Sequence, residues 1–307
     1  MGYGFRSLDA KDGYLFEISD GPRRAYFASG AGSPYAFNAA HANAIARDKS
    51  FAQRVLAANG LATIPSELFF TTDRWAALRA PGREAGDALR YAAGAAYPLF
   101  CKPLNGAQGA YAEIIRDYAT FERYLARVAA TRHYAILVQP VIAGEEHRLL
   151  VMNGRILFAY RKYNLTLTGD GTTPLGALMR DAIAAKDGAV GDIAETVRAR
   201  ADDGRLFGPA DVAPAGLSVT VEGAANRALG GAASPPSAEA APHLAQFALA
   251  CAAALRLNLA AVDLFDRPEG PVAIEVNANP AIKTLEDHGR WDLIETIWTA
   301  NFAAALR

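Results

Sequence analysis

The sequence predicts a mixed α+β fold with two packed units. Segments with strand-like and helical patterns alternate irregularly along the chain, and no internal repeat is visible. A chain of 307 residues is also longer than one small hydrophobic core usually organises. Hydrophobic residues make up 51% of the sequence and charged residues 21%, which is typical of a folded globular protein.

The first part of the chain predicts short strands followed by a helix. Residues 14–18 and 24–27 have strand-like patterns on either side of an Asp-Gly-Pro turn at residues 20–22. From residue 38 to residue 59 apolar side chains recur at helical spacing, and Gly60 is a typical helix stop.

The middle of the chain predicts a series of strands interrupted by one amphipathic helix at residues 118–128. An Asn-Gly pair at residues 153–154 predicts a hairpin turn between the last two strands. The predicted strands cover residues 66–70, 98–102, 111–115, 135–139, 147–152 and 155–160.

The last third begins with the weakest pattern, over residues 165–215. It contains a Gly-Asp-Gly turn at residues 169–171, a helix over residues 175–185, and polar, loop-prone sequence from 186 to 215. After a break rich in proline and serine, the chain predicts a helix at 238–255, strands at 260–265 and 272–276, and a closing helix at 291–306.

Composition excludes several functional classes. The formal net charge of −1 gives no bulk attraction to nucleic acid or to an anionic membrane. No apolar run approaches the roughly 20 residues of a membrane span, and the first residues lack the apolar stretch of a signal peptide, so we expect a cytoplasmic protein. Cys101 and Cys251 are expected to be small buried side chains, since their spacing suggests neither a disulfide framework nor a zinc site.

A first candidate site follows the strand predicted at residues 98–102. Lys102 ends this strand, and a glycine-rich loop with Asn105, Gly106 and Gly109 comes next. Glycines let backbone N–H groups approach a phosphate, and a lysine supplies a positive charge. An ordinary hairpin is the alternative interpretation, because neither a P-loop nor a G-x-G-x-x-G motif is present.

A second candidate site lies where the strand at residues 135–139 ends. Gln139 and Val141 lead into a turn that presents Glu146 and Arg148. Backbone groups at such a strand end can meet an adenine edge, and a carboxylate can accept hydrogen bonds from ribose hydroxyls. The alternative is a solvated, charged turn.

The third candidate site consists of Asp263, Glu275 and Asn277, which lie in two otherwise apolar strands. A carboxylate in a buried strand is costly unless it is paired or bound to a metal. Glu275 and Asn277 are two residues apart and therefore share one strand face. If the two strands pair, the three side chains converge as hard oxygen ligands for Mg²⁺. Buried salt bridges to lysine or arginine are the alternative.

Three further residues are candidates on weaker grounds. Lys49 lies in a predicted helix, Arg161 ends a predicted strand, and Asn226 precedes a Gly-Gly pair. Each also fits an ordinary solvent-exposed role. The five histidines show no metal-ligand spacing.

Taken in chain order, these segments resemble the ATP-grasp superfamily, in particular the ATP-grasp domain of cyanophycin synthetases and glutathione-synthetase-like ligases. The resemblance runs from about residue 44 to residue 285. The family commonly has an acidic residue where Gln139 stands in this chain. The stretches that carry the resemblance are residues 45–49, 97–110, 139–148, 161, 169–171, 226–231, 263 and 275–277.

The resemblance implies ATP and Mg²⁺ as cofactors, with Mn²⁺ as a substitute, and it implies a role for each matching residue. The implied nucleotide-binding residues are Lys49, Lys102, Asn105, Gly106, Gly109, Gln139, Val141 and Glu146. The implied metal ligands are Asp263, Glu275 and Asn277. The implied catalytic residues are Arg148, Arg161 and Asn226.

The resemblance also implies a domain arrangement. In an ATP-grasp fold two α+β subdomains clasp ATP. Here a short N-terminal substrate unit at residues 1–43 would precede an ATP-grasp domain at 44–307. A small lid subdomain at about 65–138 would carry the glycine-rich loop, and a large subdomain at 139–307 would carry the metal site.

The implied activity is ADP-forming ligation of a carboxylate to an amine through an acyl phosphate. Its substrates would be an amino acid, a peptide or a specialised metabolite, and ring closure within one molecule is included. The partners are small-molecule carboxylates and amines rather than nucleic acid or membrane, and a homodimer is a family-level expectation. Two alternatives remain: an ATP-grasp phosphotransferase and a non-catalytic ATP-binding module.

Overall fold

The computed structural model describes residues 2–10, 12–28, 33–106, 109–185 and 196–307. Within these residues it contains strands and α-helices that are numbered separately in chain order. The helices are α1 (Ala40–Arg47), α2 (Lys49–Ala58), α3 (Ala85–Gly94), α4 (Tyr118–Ala129), α5 (Leu175–Ala184), α6 (Pro242–Ala254), α7 (Lys283–Asp287) and α8 (Trp291–Ala305). The first eight strands are β1 (Gly4–Ser7), β2 (Leu15–Asp20), β3 (Arg23–Ala28), β4 (Glu67–Phe70), β5 (Leu99–Pro103), β6 (Glu113–Ile115), β7 (Ala135–Pro140) and β8 (Glu145–Met152). The remaining strands are β9 (Arg155–Tyr163), β10 (Thr166–Thr168), β11 (Ala199–Ala201), β12 (Leu206–Phe207), β13 (Ser218–Val221), β14 (Ala232–Ala233), β15 (Leu259–Asp266) and β16 (Val272–Asn277).

The chain divides into two compact units, each built from separate stretches of sequence. The first unit contains Met1–Ala62, His147–Tyr160 and Pro235–Arg307. The second contains Thr63–Glu146 and Arg161–Ser234. The mixed α+β class expected from the sequence is confirmed. The contiguous division at residues 43 and 138 stays a prediction.

The N-terminal end of the first unit is a three-stranded antiparallel sheet in the order β1-β2-β3. One face of this sheet buries Ile18 and Phe27, and Phe27 packs edge-on against Phe302 of α8 with ring centroids 5.3 Å apart. The short strands expected at residues 14–18 and 24–27 are therefore confirmed, and β1 extends the sheet by one strand.

The helix expected over residues 38–59 is in fact two helices. Asp48 separates α1 from α2 with an extended backbone at φ −91° and ψ 107°. Its side chain accepts a hydrogen bond of 3.0 Å from the backbone N–H of Phe51 and so caps the start of α2. The continuous hydrophobic period concealed this break, because both helices bury side chains in the same core.

The main sheet of the first unit carries β15 and β16 beside parts of β8 and β9, in the order β9-β8-β15-β16. Alternate side chains, among them Leu149, Val262 and Val276, are buried in a core with residues of α1, α2 and α6. Because successive side chains of a strand point to opposite faces, Arg148 and Asp263 lie on the other face. The apolar core thus fixes which residues the sheet presents on its polar face.

The second unit contains a four-stranded antiparallel sheet in the order β4-β7-β5-β6, on which α3 and α4 pack. Helix α3 was not predicted from the sequence. Its buried residues are Ala88 and Ala92, so the helix has no stripe of large apolar side chains. The available signal was polar: Asp87 accepts a hydrogen bond of 2.8 Å from the backbone N–H of Glu84 at the helix start.

A further sheet of the second unit has the strand order β10-β13-β11-β12 and packs with α5 around Met179 and Val219. The prediction of a loop from 186 to 215 is wrong for β11 and β12, while residues 186–195 lie outside the described chain. Strands of two or three residues are too short to show a hydrophobic alternation. No helix in the described ranges is long and apolar enough to cross a lipid bilayer.

Candidate functional site

The polar face of the main sheet brings together the three acidic and amide residues of β15 and β16. The two strands are antiparallel, and Asp263 lies directly opposite Glu275. Asn277 follows on the same face, and its Nδ2 donates a hydrogen bond of 3.0 Å to Glu275 Oε1. The expectation that these strands pair and that the three side chains converge is confirmed.

Two cations also reach these carboxylates. Arg148 of β8 donates from Nε to Asp263 Oδ1 and from Nη2 to Asp263 Oδ2, at 2.6 Å in each case. Lys49 Nζ lies 3.4 Å from Glu275 Oε2. The salt bridges named as the alternative interpretation are therefore present. We call Lys49, Arg148, Asp263, Glu275 and Asn277 the carboxylate cluster.

Burial divides the carboxylate cluster into a tight and a looser half. The side chain of Asp263 is 3% exposed, whereas that of Glu275 is 25% exposed. Burial lowers the pKa of the Arg148 guanidinium, but the charge and hydrogen bonds of Asp263 outweigh it and hold this pKa well above its usual range. Arg148 therefore stays positively charged beside Asp263.

Lys49 is placed by the helix that it begins. It is the first residue of α2, directly after the capping residue Asp48. The positive end of a helix disfavours a cation there, so this position does not suit a lysine for the sake of helix stability. The nearby carboxylate of Glu275 compensates that cost.

The donors of the carboxylate cluster fit a magnesium ion. Two carboxylates and an amide provide hard oxygen atoms, the ligand type that Mg²⁺ and Mn²⁺ prefer. Asn277 turns Nδ2 toward Glu275, which leaves its Oδ1 as the atom able to bind a cation. No group of three or more His, Cys, Asp or Glu side chains with metal-binding geometry occurs in the described ranges, so a metal site here depends on the amide.

In the second unit the glycine-rich loop packs on the turn that contains Asn226. Gly109 has a φ of +75°, and a Cβ at this position would lie 2.8 Å from Leu229 Cδ1 and 3.5 Å from Asn226 Nδ2. Lys102 is 7% exposed, and its Nζ lies 5.8 Å from the centroid of the Phe100 ring. Two separately predicted segments are thus in contact.

The other two candidate residues of this loop, Asn105 and Gly106, have different surroundings. Asn105 is exposed, and its Oδ1 lies 3.2 Å from Nδ1 of His133. A Cβ on Gly106 would lie 3.2 Å from Pro103 Cβ, so the backbone turns back closely on the end of β5.

Gln139 is turned into the second unit rather than toward its surface. It is 1% exposed, and its Nε2 donates a hydrogen bond of 2.6 Å to Ser66 Oγ. Its Oε1 is buried and has no hydrogen-bond donor among the described residues. Val141, two residues on, is 41% exposed. The side-chain amide is therefore buried, and its oxygen keeps unused hydrogen-bonding capacity.

The predicted ribose-binding and arginine positions form ion pairs at the start of β8 and the end of β9. Glu146 pairs with Lys162. Arg161 Nη1 lies 2.8 Å from Glu145 Oε1, and its guanidinium lies 5.0 Å from the centroid of the Tyr163 ring. The start of β8 thus carries the acidic side chains and the end of β9 carries the basic ones.

Asn226 begins a tight turn beside β9. Its backbone oxygen accepts from the N–H groups of Leu229 and Gly231 at 3.0 and 2.9 Å. A Cβ on Gly231 would lie 2.8 Å from the backbone oxygens of both Asn226 and Tyr163, so only glycine fits there.

Asn38, which was not predicted as a site residue, holds the two strands of the site in place. Its Nδ2 donates to the backbone oxygens of Leu259 and Ala278 at 2.7 and 3.1 Å. Its Oδ1 accepts from the N–H groups of Asn258 and Leu259 at 2.8 and 3.0 Å. Asn38 therefore ties the start of β15 to the residue after Asn277. A lone asparagine before a helix gives no sequence signal for such a role.

Part of the chain matches a known protein domain. Residues 216–299 match the RimK-like ATP-grasp domain, and this range includes Asp263, Glu275 and Asn277. Over this range the chain is similar to ATP-grasp ligases. The match supports the resemblance and the fold expected from the order of motifs.

Two curated relatives match parts of the chain. A stretch of 100 residues is 28% identical to cyanophycin synthetase of Geminocystis herdmanii and covers 32% of this chain. A stretch of 139 residues is 26% identical to cyanophycin synthetase of Trichormus variabilis and covers 45% of this chain. The match spans 11% and 14% of the lengths of these two proteins, respectively.

A solved structure supports the fold over a longer range. The D-alanine–D-alanine ligase from Bacillus anthracis superposes with a TM-score of 0.51 at 16% sequence identity. The superposition covers 86% of this chain and 70% of the ligase chain. At this identity the likeness concerns the fold.

Proposed function

We propose that this chain is an ATP-grasp enzyme that joins a carboxylate to an amine through an acyl phosphate, consuming ATP and releasing ADP and phosphate. The observation that carries the proposal is the cross-strand placement of Asp263 opposite Glu275, with Asn277 on the same face. These three residues lie inside the range that matches the RimK-like ATP-grasp domain. The proposed substrates are an amino acid, a peptide or a specialised metabolite.

We propose that Asp263, Glu275 and Asn277 hold Mg²⁺, with Mn²⁺ as a substitute. When bound, the ion supplies positive charge to phosphate oxygens. Although both oxygens of Asp263 accept from Arg148, each carboxylate oxygen has a second lone pair that can take a cation. The nearly complete burial of Asp263 suits a metal ligand that is held in place. The greater exposure of Glu275 suits a ligand that an arriving ion can reach.

The nucleotide contacts proposed for this chain are its lysines, its glycine-rich loop and its strand ends. Lys49 and Lys102 would neutralise phosphate charge. The loop residues Asn105, Gly106 and Gly109 would let phosphate oxygens come close to their backbone N–H groups. The glycine conformation at residue 109 supports this role, because a side chain there would meet Leu229.

Base and ribose contacts are proposed for three other residues. Val141 would contact the adenine, and the backbone at Gln139 would meet the adenine edge, because the side-chain amide of Gln139 is buried in the second unit. Glu146 would accept hydrogen bonds from the ribose hydroxyls. These bonds would replace part of its interaction with Lys162.

The catalytic roles proposed for Arg148, Arg161 and Asn226 differ in strength of support. Arg148 uses two of its five N–H donors on Asp263, so the fixed guanidinium can direct others at a developing anion. Arg161 and Glu145 form a half-exposed pair, which contributes little stability and can exchange for an anionic substrate. Asn226 is supported by its contact with the loop at Gly109.

The decisive experiment is a screen of carboxylate and amine pairs for ADP release, with product mass as the second measurement. Glu275→Gln is the informative variant, because Asp263→Asn would also leave Arg148 without its carboxylate. We expect Glu275→Gln to lower kcat at least about 100-fold, by analogy with the loss of one electrostatic contact in a transition state. Glu269→Gln is the matched control, since Glu269 is 70% exposed in the turn between β15 and β16.

Two outcomes would contradict the proposal. ATP turnover by Glu275→Gln at the wild-type rate would remove the metal assignment. ADP release that never depends on an amine would favour the phosphotransferase alternative, and absence of ATP turnover with every carboxylate would favour the non-catalytic module. A cytoplasmic location, a homodimer and the domain division at residues 43 and 138 stay predictions.

A further inference from the structure

The carboxylate cluster is balanced in charge by its own side chains. Asp263 and Glu275 bring two negative charges, and Arg148 and Lys49 bring two positive ones. The two cations differ in how they are held. Arg148 makes two bonds of 2.6 Å to a carboxylate that is 3% exposed. Lys49 Nζ lies 3.4 Å from Oε2 of Glu275, whose side chain is 25% exposed.

We propose that Lys49 is a built-in competitor of the metal ion for Glu275. With no nucleotide present, its ammonium neutralises this carboxylate and keeps the affinity for a divalent cation low. When nucleotide phosphates arrive, Lys49 moves to them and leaves Glu275 to the metal. The cluster would thus take its metal together with the nucleotide rather than beforehand. This inference rests on the proposed function.

The identity of the two cations supports a division of labour. A lysine carries a compact charge on a flexible four-carbon stem, so it can transfer from one anion to another. An arginine that grips a carboxylate through two parallel bonds is held by geometry as well as charge. Arg148 therefore keeps Asp263 in place, and Lys49 is the cation able to leave.

The position of Lys49 supplies the driving force for that transfer. A metal ion that takes an oxygen of Glu275 would repel the neighbouring ammonium. Lys49 would then stand at the positive end of α2 with its carboxylate neutralised, which is unfavourable for a cation. A phosphate group relieves both costs, because it brings negative charge to the same helix start.

The test measures binding of Mn²⁺ to the full chain by electron paramagnetic resonance of the unbound ion, first without nucleotide. The variants are Lys49→Met and the control Arg54→Met, which removes one positive charge from an exposed position of the same helix. We expect Lys49→Met to raise the affinity for Mn²⁺ alone about tenfold, which is about 1.4 kcal/mol. Arg54→Met should change this affinity less than twofold.

The same titration is then repeated with a non-hydrolysable ATP analogue. We expect the wild-type chain to bind Mn²⁺ more tightly with the analogue than without it, and Lys49→Met to lose most of that gain. If Lys49→Met leaves the affinity for Mn²⁺ alone unchanged or lower while the wild type binds Mn²⁺ with the analogue, the competition is overturned and the proposed function stands. If the wild type binds no Mn²⁺ in either condition, both fail. Should Lys49→Met not fold, judged by its thermal melt, Lys49→Gln provides the same comparison.

Discussion

Arg148 and Asp263, which are 115 residues apart in the chain, are joined by two parallel hydrogen bonds of 2.6 Å each. Arg148 was expected to be catalytic and Asp263 to bind metal. In the structure the two side chains bind each other. Removing one partner of a buried pair leaves an uncompensated charge in the interior. Substitutions of Asp263 therefore test the stability of the fold as well as the metal site.

We predict that Asp263→Asn lowers the free energy of unfolding by about 3–5 kcal/mol, because the Arg148 guanidinium stays charged without its carboxylate. Urea denaturation followed by circular dichroism measures this change. Arg148→Met combined with Asp263→Leu should recover a large part of the loss, since no unpaired charge remains.

The matched control for this substitution is Asp266→Asn in the same strand. Asp266 is 28% exposed and lies 3.0 Å from His243, so its loss should cost at most about 1 kcal/mol. Equal losses for Asp263→Asn and Asp266→Asn would show that burial of the Arg148–Asp263 pair has no energetic consequence.

We predict that Gly109→Ala destabilises the second unit and weakens nucleotide binding. The left-handed backbone at φ +75° costs an alanine about 1–2 kcal/mol, and the new Cβ would lie 2.8 Å from Leu229 Cδ1. Adding Leu229→Ala should recover part of the stability by removing the overlap, while the backbone cost remains. Thermal unfolding and fluorescence titration with an ATP analogue measure the two effects.

Gly94→Ala serves as the control for this glycine. Gly94 ends α3, and a Cβ there would meet no atom within 4 Å. The change should be neutral or stabilise by up to about 1 kcal/mol, because alanine is the better helix former. If both alanine variants behave alike, the contact between Gly109 and Leu229 has no role in the loop.

We predict that Tyr35 makes the first unit sensitive to alkali. Burial raises the pKa of the Tyr35 hydroxyl to about 12, and this hydroxyl donates a 3.0 Å hydrogen bond to the backbone oxygen of Pro280. The unfolded chain releases the proton near pH 10, so the folded state holds more protons between pH 10 and 12. The free energy of unfolding should therefore fall through this window, by about 2 kcal/mol at pH 11.5.

The comparison with Tyr35→Phe isolates this contribution from that of Cys251, whose pKa burial also raises, to about 12. The phenylalanine variant should be less stable than the wild type at pH 8, because it lacks the hydrogen bond to Pro280. Its stability should nevertheless fall less steeply above pH 10 in urea denaturation. Parallel curves for the two proteins would contradict the role of Tyr35.

Long apolar segments were predictable from the sequence because burial imposes a period on them. The strand expected at residues 260–265 is β15, and the closing helix expected at residues 291–306 is α8. The break between α1 and α2 at Asp48 and the alanine-packed helix α3 were not found. In both cases a side chain that caps the helix marks where the helix begins. Hydrophobic periodicity does not detect capping residues, because they are polar.

The residues chemically suited to the site could be identified without coordinates: two carboxylates and an amide in apolar strands, a lysine before a glycine-rich loop, and their order along the chain. The folded chain was needed to see that Arg148 and Lys49 reach these carboxylates and that Asn38 ties β15 to the residue after β16. The pairing register follows from burial of Val262 opposite Val276, since a shift by one residue would turn Asp263 into the core. That choice depends on helices distant in sequence, so no local pattern contains it.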